Sequence, residues 1–192
     1  MQKSYRSQEQ QTKEKNLITQ AANGDAKAFE QLYQLYFNRL YQFIFQITRR
    51  QDSIEEVIND VMLVVWEKAA TYDQTCRPST WILGIAYLKA LKNVEQSTLR
   101  EDRVVEYCDE QDYFPDRGST AVSQLEMNNW LEVAFDRLSA EQRAVVEMTY
   151  YQGLHYSEIA EIMHCPENTV KTRMFHARKI LAKLLSEHPE RS

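Results

Sequence analysis

Glycine and proline are scarce here, four of each in 192 residues. The few glycines are scattered, so the chain has no glycine-rich loop of the kind that cradles phosphates. With helix breakers rare and Gln, Glu, Leu and Ala plentiful, the composition reads as mostly or wholly helical. The three cysteines, Cys76, Cys108 and Cys165, lie far apart. That spacing builds neither a disulfide framework nor a zinc site, and a reducing cytoplasm is the default. His164 and Cys165 are adjacent but lack a second ligand pair, so they read as a turn residue and a half-buried thiol rather than metal ligands. No apolar run is long enough to span a bilayer, and the polar start MQKSYRSQEQQTKEK has no signal-peptide pattern. No nucleophile motif is present, so an enzyme is the weakest of the functional classes. No cofactor or metal is expected.

The informative stretch that is present runs from Tyr156 to Arg178, YSEIAEIMHCPENTVKTRMFHAR. It reads as a helix, a tight turn and a second helix, the layout of a DNA-reading helix-turn-helix. Ile159, Ala160 and Ile162 give the first helix an apolar side. Val170, Met174, Ala177, Leu181 and Leu184 give the second one an apolar stripe. Pro166 suits a helix start, where its missing N–H has no intrahelical partner. Lys171, Thr172, Arg173, His176 and Arg178 fall on the other side, free to meet phosphates and base edges. The plainer alternative is an amphipathic helix with a solvated polar face. Turn, proline and basic face arriving together at this spacing favour the DNA-reading one.

Net charge bears on affinity. The chain carries −5 overall, whereas proteins that bind DNA strongly by themselves are usually basic. Yet Lys171, Arg173, Arg178, Lys179 and Lys183 cluster between Pro166 and Ser186. Locally basic and globally acidic, the chain reads as a weak DNA binder when alone, in need of a larger partner.

Three parts emerge: a helical block over 16–96, an acidic linker over 97–123 and a smaller helical block over 124–187. The expected fold is thus all-α, two helical domains joined by a flexible acidic linker. In the first block Asn23-Gly24 stops a helix and Asp25 caps the next, with Phe29, Leu32, Tyr33, Tyr36, Leu40, Phe43, Ile44 and Ile47 at helical spacing. Ser53 and Glu56 are spaced as a capping box. The helix after them has Ile54, Val57, Ile58, Val61 and Val65 on one face and Glu55, Glu56, Asn59 and Asp60 on the other. A third helix starts near Thr80, after the polar loop DQTCRPST. The linker loses periodicity, gains acid from Glu101 to Asp116, and holds Pro115 and Gly118. In the second block Leu125, Leu131, Phe135 and Leu138 mark one helix. Ser139 and Gln142 form a capping-box pattern for the next, and Gly153 ends it. His155 then stands where Ser or Thr would cap better.

Taken together these motifs resemble a bacterial extracytoplasmic-function sigma factor, a small branch of the sigma-70 family. LSAEQRAVVEMTYYQGLHYSEIAEIMHCPENTVKTRMFHARKIL is similar to that family's promoter-reading domain, region 4. SIEEVINDVMLVVWEKAATYD followed by STWILGIA resembles its polymerase-binding and promoter-melting domain, region 2. The resemblance implies a dissociable subunit, not an enzyme, that binds core RNA polymerase and directs it to promoter DNA. It implies that Glu55, Glu56, Asn59 and Asp60 dock on the clamp of the largest polymerase subunit, carboxylates meeting a basic surface. A solvated helix face is the reading of those charges without it. It implies a minus-ten site, where single-stranded DNA is held with a flipped base, at Arg77, Ser79 and Thr80, with Lys89 and Lys92 on strand phosphates. It implies a minus-thirty-five site on Lys171, Thr172, Arg173, Phe175, His176 and Arg178. His176 stands where the family often has Arg, Asn168 where it often has Gly, and Tyr87-Leu88 where an Arg-Asn pair is common. An anti-sigma partner and a bacterial cytoplasmic location, with no membrane insertion, complete what it implies. The competing interpretation is a stand-alone helix-turn-helix regulator with a sensing or dimerising first block.

Overall fold

The computed structural model describes the backbone of residues 2–105 and 133–186, and the side-chain surroundings of residues 8–97 and 133–184. Every regular element among them is helical. The helices are α1 (Gln2–Ala22), α2 (Ala26–Thr48), α3 (Ile54–Lys68) with a 3-10 turn at Ala69–Thr71, α4 (Pro78–Val105), α5 (Ala140–Tyr150), α6 (Tyr156–Ile162) and α7 (Glu167–Ser186).

Local chemistry sets most of the boundaries. Gly24 takes φ +85° after α1, a conformation that penalises a Cβ. Asp25 Oδ1 then accepts from Lys27 N at 2.9 Å and Ala28 N at 3.1 Å, satisfying two orphan donors of α2. α2 ends at Arg49, left-handed at φ 57°. Ser139 and Gln142 form the expected capping box of α5, and Gly153, at φ +64°, follows that helix. The box expected at Ser53 does not form. Ser53 adopts φ −110°, ψ 0°, and makes no side-chain cap bond. Its hydroxyl instead donates to Asn93 Oδ1 on α4 at 3.2 Å.

α4 also continues further than its periodicity predicts, through 97–105, the start of the stretch read as a linker. No proline or glycine occurs between Gly84 and Pro115, so nothing in the chain breaks the helix at Ser97. Residues 106–132, which include the rest of that stretch and the positions of Leu125 and Leu131, lie outside the described residues.

Four helices of the first block bury a common core: Ile18 of α1, at 1% exposure, joins Leu32, Leu40, Phe43, Ile44, Ile47, Ile54, Ile58, Val61, Val65, Ile82 and Leu83, which are fully enclosed. The second block has a smaller one around Val145, Met148, Ile159, Val170, Met174 and Ala177. The two cores are continuous, because α5 lies on α2 and α6 lies on α4. Arg143 on α5 fastens the join. Its Nε and Nη2 donate to the Ile47 carbonyl at 3.2 and 2.7 Å, and its Nη1 donates to the Leu138 carbonyl at 2.6 Å. Ile47 lies in the last turn of α2, whose carbonyls have no intrahelical donor and carry the negative end of the helix dipole, so a buried cation there is doubly favoured.

Candidate functional site

The chemistry-bearing residues fall on three surfaces. The first is the outer side of α3. The spacing of Glu55, Glu56, Asn59 and Asp60 keeps them opposite the buried Val57, Ile58 and Val61, and all four are exposed. Asn59 Oδ1 accepts from the Tyr33 hydroxyl at 2.9 Å. Asp60 pairs with Lys89 of α4 at 2.9 Å, so a residue expected on the polymerase face holds one expected on the DNA face. Beside these groups runs an open apolar groove lined by Phe29, Tyr33, Met62, Leu63 and Trp66. Phe29 and Trp66 meet edge to face at 5.0 Å. The sequence reading missed this groove. Its signal was Leu63, four residues after Asn59 on the polar side of α3 and 55% exposed.

The second surface is the loop before α4 with that helix's first turns. The loop is shaped by its own bonds. Asp73 Oδ1 accepts from Thr75 N and Oγ1 at 3.0 and 2.8 Å, which holds the Asp73 carboxyl below its ordinary range. The Tyr72 hydroxyl donates to the Cys76 carbonyl at 2.6 Å, and burial pushes its pKa up to about 12. Trp81 stacks on Tyr72 at 5.0 Å, an anchor for the loop. Of the residues expected to take the minus-ten strand, Lys92 is exposed, Lys89 and Arg77 are half-buried, and Ser79 and Thr80 are buried. The cover comes from α6. Arg77 Nη2 lies 3.1 and 3.2 Å from the two carboxylate oxygens of Glu158, and Thr80 Oγ1 donates to Glu158 Oε1 at 3.3 Å.

The third surface is the polar side of α7. The turn Met163–Pro166 places α7 across α6, with His164 left-handed at φ 49°. Glu158 Oε2 accepts from His155 N at 3.0 Å, the half of a capping box that Glu supplies. Val170, Met174 and Ala177 face inward, while Lys171, Thr172, Phe175, His176 and Arg178 face solvent. Lys171 pairs with Glu167 at 2.8 Å, and Thr172 Oγ1 donates to the Asn168 carbonyl at 2.9 Å. Phe175, 63% exposed, meets His176 edge to face at 5.6 Å. Arg178 donates to the Tyr150 hydroxyl at 3.1 and 2.8 Å. Arg173 stands apart from this set. It is half-buried, with Nη1 at 3.9 Å from Met163 Sδ and 3.7 Å from Cys165 Sγ. Burial pushes the hydroxyl of Tyr87 up to about 12, and the Arg173 guanidinium pulls it the other way.

No sequence signal marked Glu158, Arg143 or the Arg39–Gln152 bond of 2.6 Å as joining the blocks. Their partners are 78 to 113 residues away, and charge or capping pattern along one helix does not reveal such a partner.

The chain matches the family model described as Sigma-70 region 2 over residues 32–98 and the one described as Sigma-70, region 4 over residues 128–181. It is 29% identical over 160 residues to the ECF RNA polymerase sigma factor SigK of Mycobacterium sp. (strain KMS), covering 82% of this chain and 83% of the relative. Its fold is similar to CnrH, solved in complex with the cytosolic domain of CnrY, with a TM-score of 0.64 at 20% identity, covering 91% of this chain and 97% of that one. It is equally similar to the sigma factor RpoE solved in complex with the anti-sigma factor NepR from Bartonella quintana. There the TM-score is 0.64 at 20% identity, and the coverage is 84% and 99%.

Proposed function

Since this chain belongs to the extracytoplasmic-function branch of the sigma-70 family, we propose a division of its work between three surfaces. The chain is a non-enzymatic specificity subunit. It binds core RNA polymerase and directs it to start transcription at particular promoters. The observation that carries this is the pair of family matches, region 2 over 32–98 and region 4 over 128–181, in that order in one chain.

In this reading residues 16–96 bind polymerase and melt the minus-ten element, 97–123 link, and 124–187 read the minus-thirty-five element. Glu55, Glu56, Asn59 and Asp60 dock on the clamp of the largest polymerase subunit. Their exposure on one side of α3 supports it, since acidic groups facing solvent steer a basic partner and set register. Arg77, Ser79, Thr80, Lys89 and Lys92 take the melted strand. Lys171, Thr172, Arg173, Phe175, His176 and Arg178 take the minus-thirty-five duplex. Exposed Phe175 offers an apolar contact for a thymine methyl, and the cations serve guanine edges or phosphates. Control by an anti-sigma factor is supported by the RpoE–NepR likeness. No described helix is long and apolar enough to cross a membrane, in keeping with work in the cytoplasm.

The test is multi-round transcription by purified core polymerase on a library of promoter fragments, with and without this protein. Transcripts that start at discrete sites only in its presence are expected, and their alignment yields the promoter motif. No such transcripts, with no binding to core, would leave a stand-alone helix-turn-helix regulator. In the same assay Glu56→Lys lowers the affinity for core, and unchanged affinity would reject the docking assignment.

A further inference from the structure

The residues assigned above to the minus-ten strand hold a strand that is already open; none of them parts one. We propose that Leu88 of α4 is the wedge that does so, entering the base stack at the boundary between paired and melted DNA. This deepens, and rests on, the assignment of Arg77, Lys89 and Lys92 to the melted strand.

Three observations carry it. Leu88 is 50% exposed, whereas Ile82, Leu83, Ala86, Tyr87 and Ala90 of the same helix are buried. Next, Trp81, Ile85, Leu88 and Lys92 follow one another at steps of four, three and four, so they share one side of α4. Along that side the apolar groups grow freer. Trp81 is half-buried and stacked on Tyr72 at 5.0 Å, Ile85 is half-buried, and Leu88 stands out into solvent. Third, cations bracket the leucine. Arg77 lies at the foot of the helix, and exposed Lys92 lies one turn, about 5.4 Å, past Leu88. Lys89 is beside it, its ammonium on Asp60 at 2.9 Å. Exposed Glu95 comes three residues after Lys92 and repels a phosphate, so the strip ends there.

An exposed leucine is ordinary by itself. This one is set apart by its place among the cations assigned to a phosphate chain. Those cations favour opening only weakly, because a closed duplex offers them phosphates too. Unstacking a base step is costly, and an apolar side chain that fills the gap offsets the cost. Leucine suits the task. It has no polar group to leave unpaired between bases, and the surface it shows to water here is buried once it enters the stack. It also sits ten residues into a helix that begins at Pro78, on a backbone that yields less than a loop would.

The experiment is promoter opening by the assembled holoenzyme, with core polymerase saturating. It uses two templates carrying the minus-ten element found by the transcription test. One is fully paired; in the other the minus-ten element is mismatched, so its strands are already apart. Opening of the first is read from 2-aminopurine fluorescence, and transcript yield is read from both. Leu88→Ala should lower opening of the paired promoter about ten-fold, the order expected for taking most of a leucine side chain out of an apolar contact. Transcription from the mismatched template should be retained. Leu88→Met keeps the apolar volume and should restore opening. An unchanged midpoint temperature for Leu88→Ala shows that the fold is intact. Undiminished opening with Leu88→Ala overturns the wedge, and so does a Met variant no better than Ala. An equal loss on both templates overturns it as well, since Leu88 would then only contact the open strand. The double variant Arg77→Ala, Lys92→Ala separates the two assignments. If it binds the mismatched template as well as wild type does, the strand assignment falls and the wedge with it. If it binds more weakly while Leu88→Ala opens the paired promoter normally, the wedge alone falls.

Discussion

Two buried carboxylates show how differently the halves of this molecule are made. Glu14 of α1 is 3% exposed and is satisfied at home, accepting from the Tyr36 hydroxyl at 2.8 Å and from Gln10 Nε2 at 3.3 Å. Glu147 of α5 is 2% exposed, and its described side-chain bond, from Gln152 Nε2 at 3.2 Å, is to a residue itself held by Arg39 of the other half. The first domain satisfies its buried carboxylate from its own helices, beside a large aliphatic core. The second encloses Arg143 and Glu147 and completes them across the join. A small domain that buries charge in this way depends on its neighbour for its stability.

The strongest way to break that comparison is Arg143→Met. The substitution fills much the same space and leaves the Ile47 and Leu138 carbonyls without their buried donor. Loss of charged hydrogen bonds of this kind should cost about 2–4 kcal/mol. Hydrogen exchange should place the loss in α5 to α7 and leave the amides of α2 and α3 at their wild-type protection. A cost below about 0.5 kcal/mol, the level of an ordinary surface change, would mean that the second domain does not lean on the first.

Glu147 gives the next effect, and it has a sign in pH. Burial raises its pKa from 4.5 to about 7, with the Gln152 bond pulling it back down. Between those values the folded chain holds a proton that the unfolded chain has released. Stability from this group is therefore fully present below about pH 4.5, falls as pH rises, and levels off above about pH 7. Glu147→Gln removes the penalty. It should stabilise the protein by about 1–3 kcal/mol at alkaline pH and by nothing near pH 4. Urea titrations of both proteins at several pH values measure the difference, and parallel curves would show that Glu147 is solvated rather than enclosed.

Gly84 sharpens the comparison from the first domain's side. A glycine inside α4 costs the helix about 1 kcal/mol against alanine, and a methyl there would meet Ile162 at an ordinary contact distance of 4.0 Å. Gly84→Ala should thus raise stability by about 0.5–1 kcal/mol with the join intact, read as a rise in midpoint temperature. A fall would mean that α4 and α6 approach more closely than van der Waals contact.

These long-range groups mark the limit of what was legible. Helices α2, α3, α5, α6 and α7 were readable because each carries its own apolar period and most carry their own cap or stop, such as Asp25, Ser139 and Gly153. The polar faces of α3 and α7 followed from the same periodicity. Ser53 misled, because a hydroxyl in a capping position has another use once Asn93 of a different helix comes within reach. The end of α4 was missed because a helix that loses its apolar repeat of three to four residues looks like a linker, while its backbone needs only the absence of breakers to continue. Arg173 reads as an outward base contact on a helical wheel. It lies at the edge of that face, where the sulfurs of Met163 and Cys165 draw it in. Glu158 is the clearest case. Its carboxylate accepts from His155 N as half of a capping box; that it also holds Arg77 requires a second helix that no local pattern describes.

The smallest effect tests whether surface charge takes part in the join. Arg49 Nε and Asp136 Oδ1 lie 2.7 Å apart across the two domains, with Asp136 57% exposed. Arg49 is pre-placed, since its ring contact with Phe45 at 4.9 Å and its bond to Gln46 at 3.0 Å fix the side chain before Asp136 arrives. Holding one partner lowers the entropic cost of the pair, but solvent screens the other. Asp136→Asn should then cost about 0.2–1 kcal/mol at low salt and nothing measurable near 1 M, where the screening length is about 3 Å. Arg143→Met has no such escape, because its partners are buried carbonyls and not a screened charge. Its cost should be nearly the same at both salt concentrations. If the two variants lose their effects together as salt rises, the join is held by exposed charge. If only Asp136→Asn does, it is held by the buried guanidinium on the end of α2.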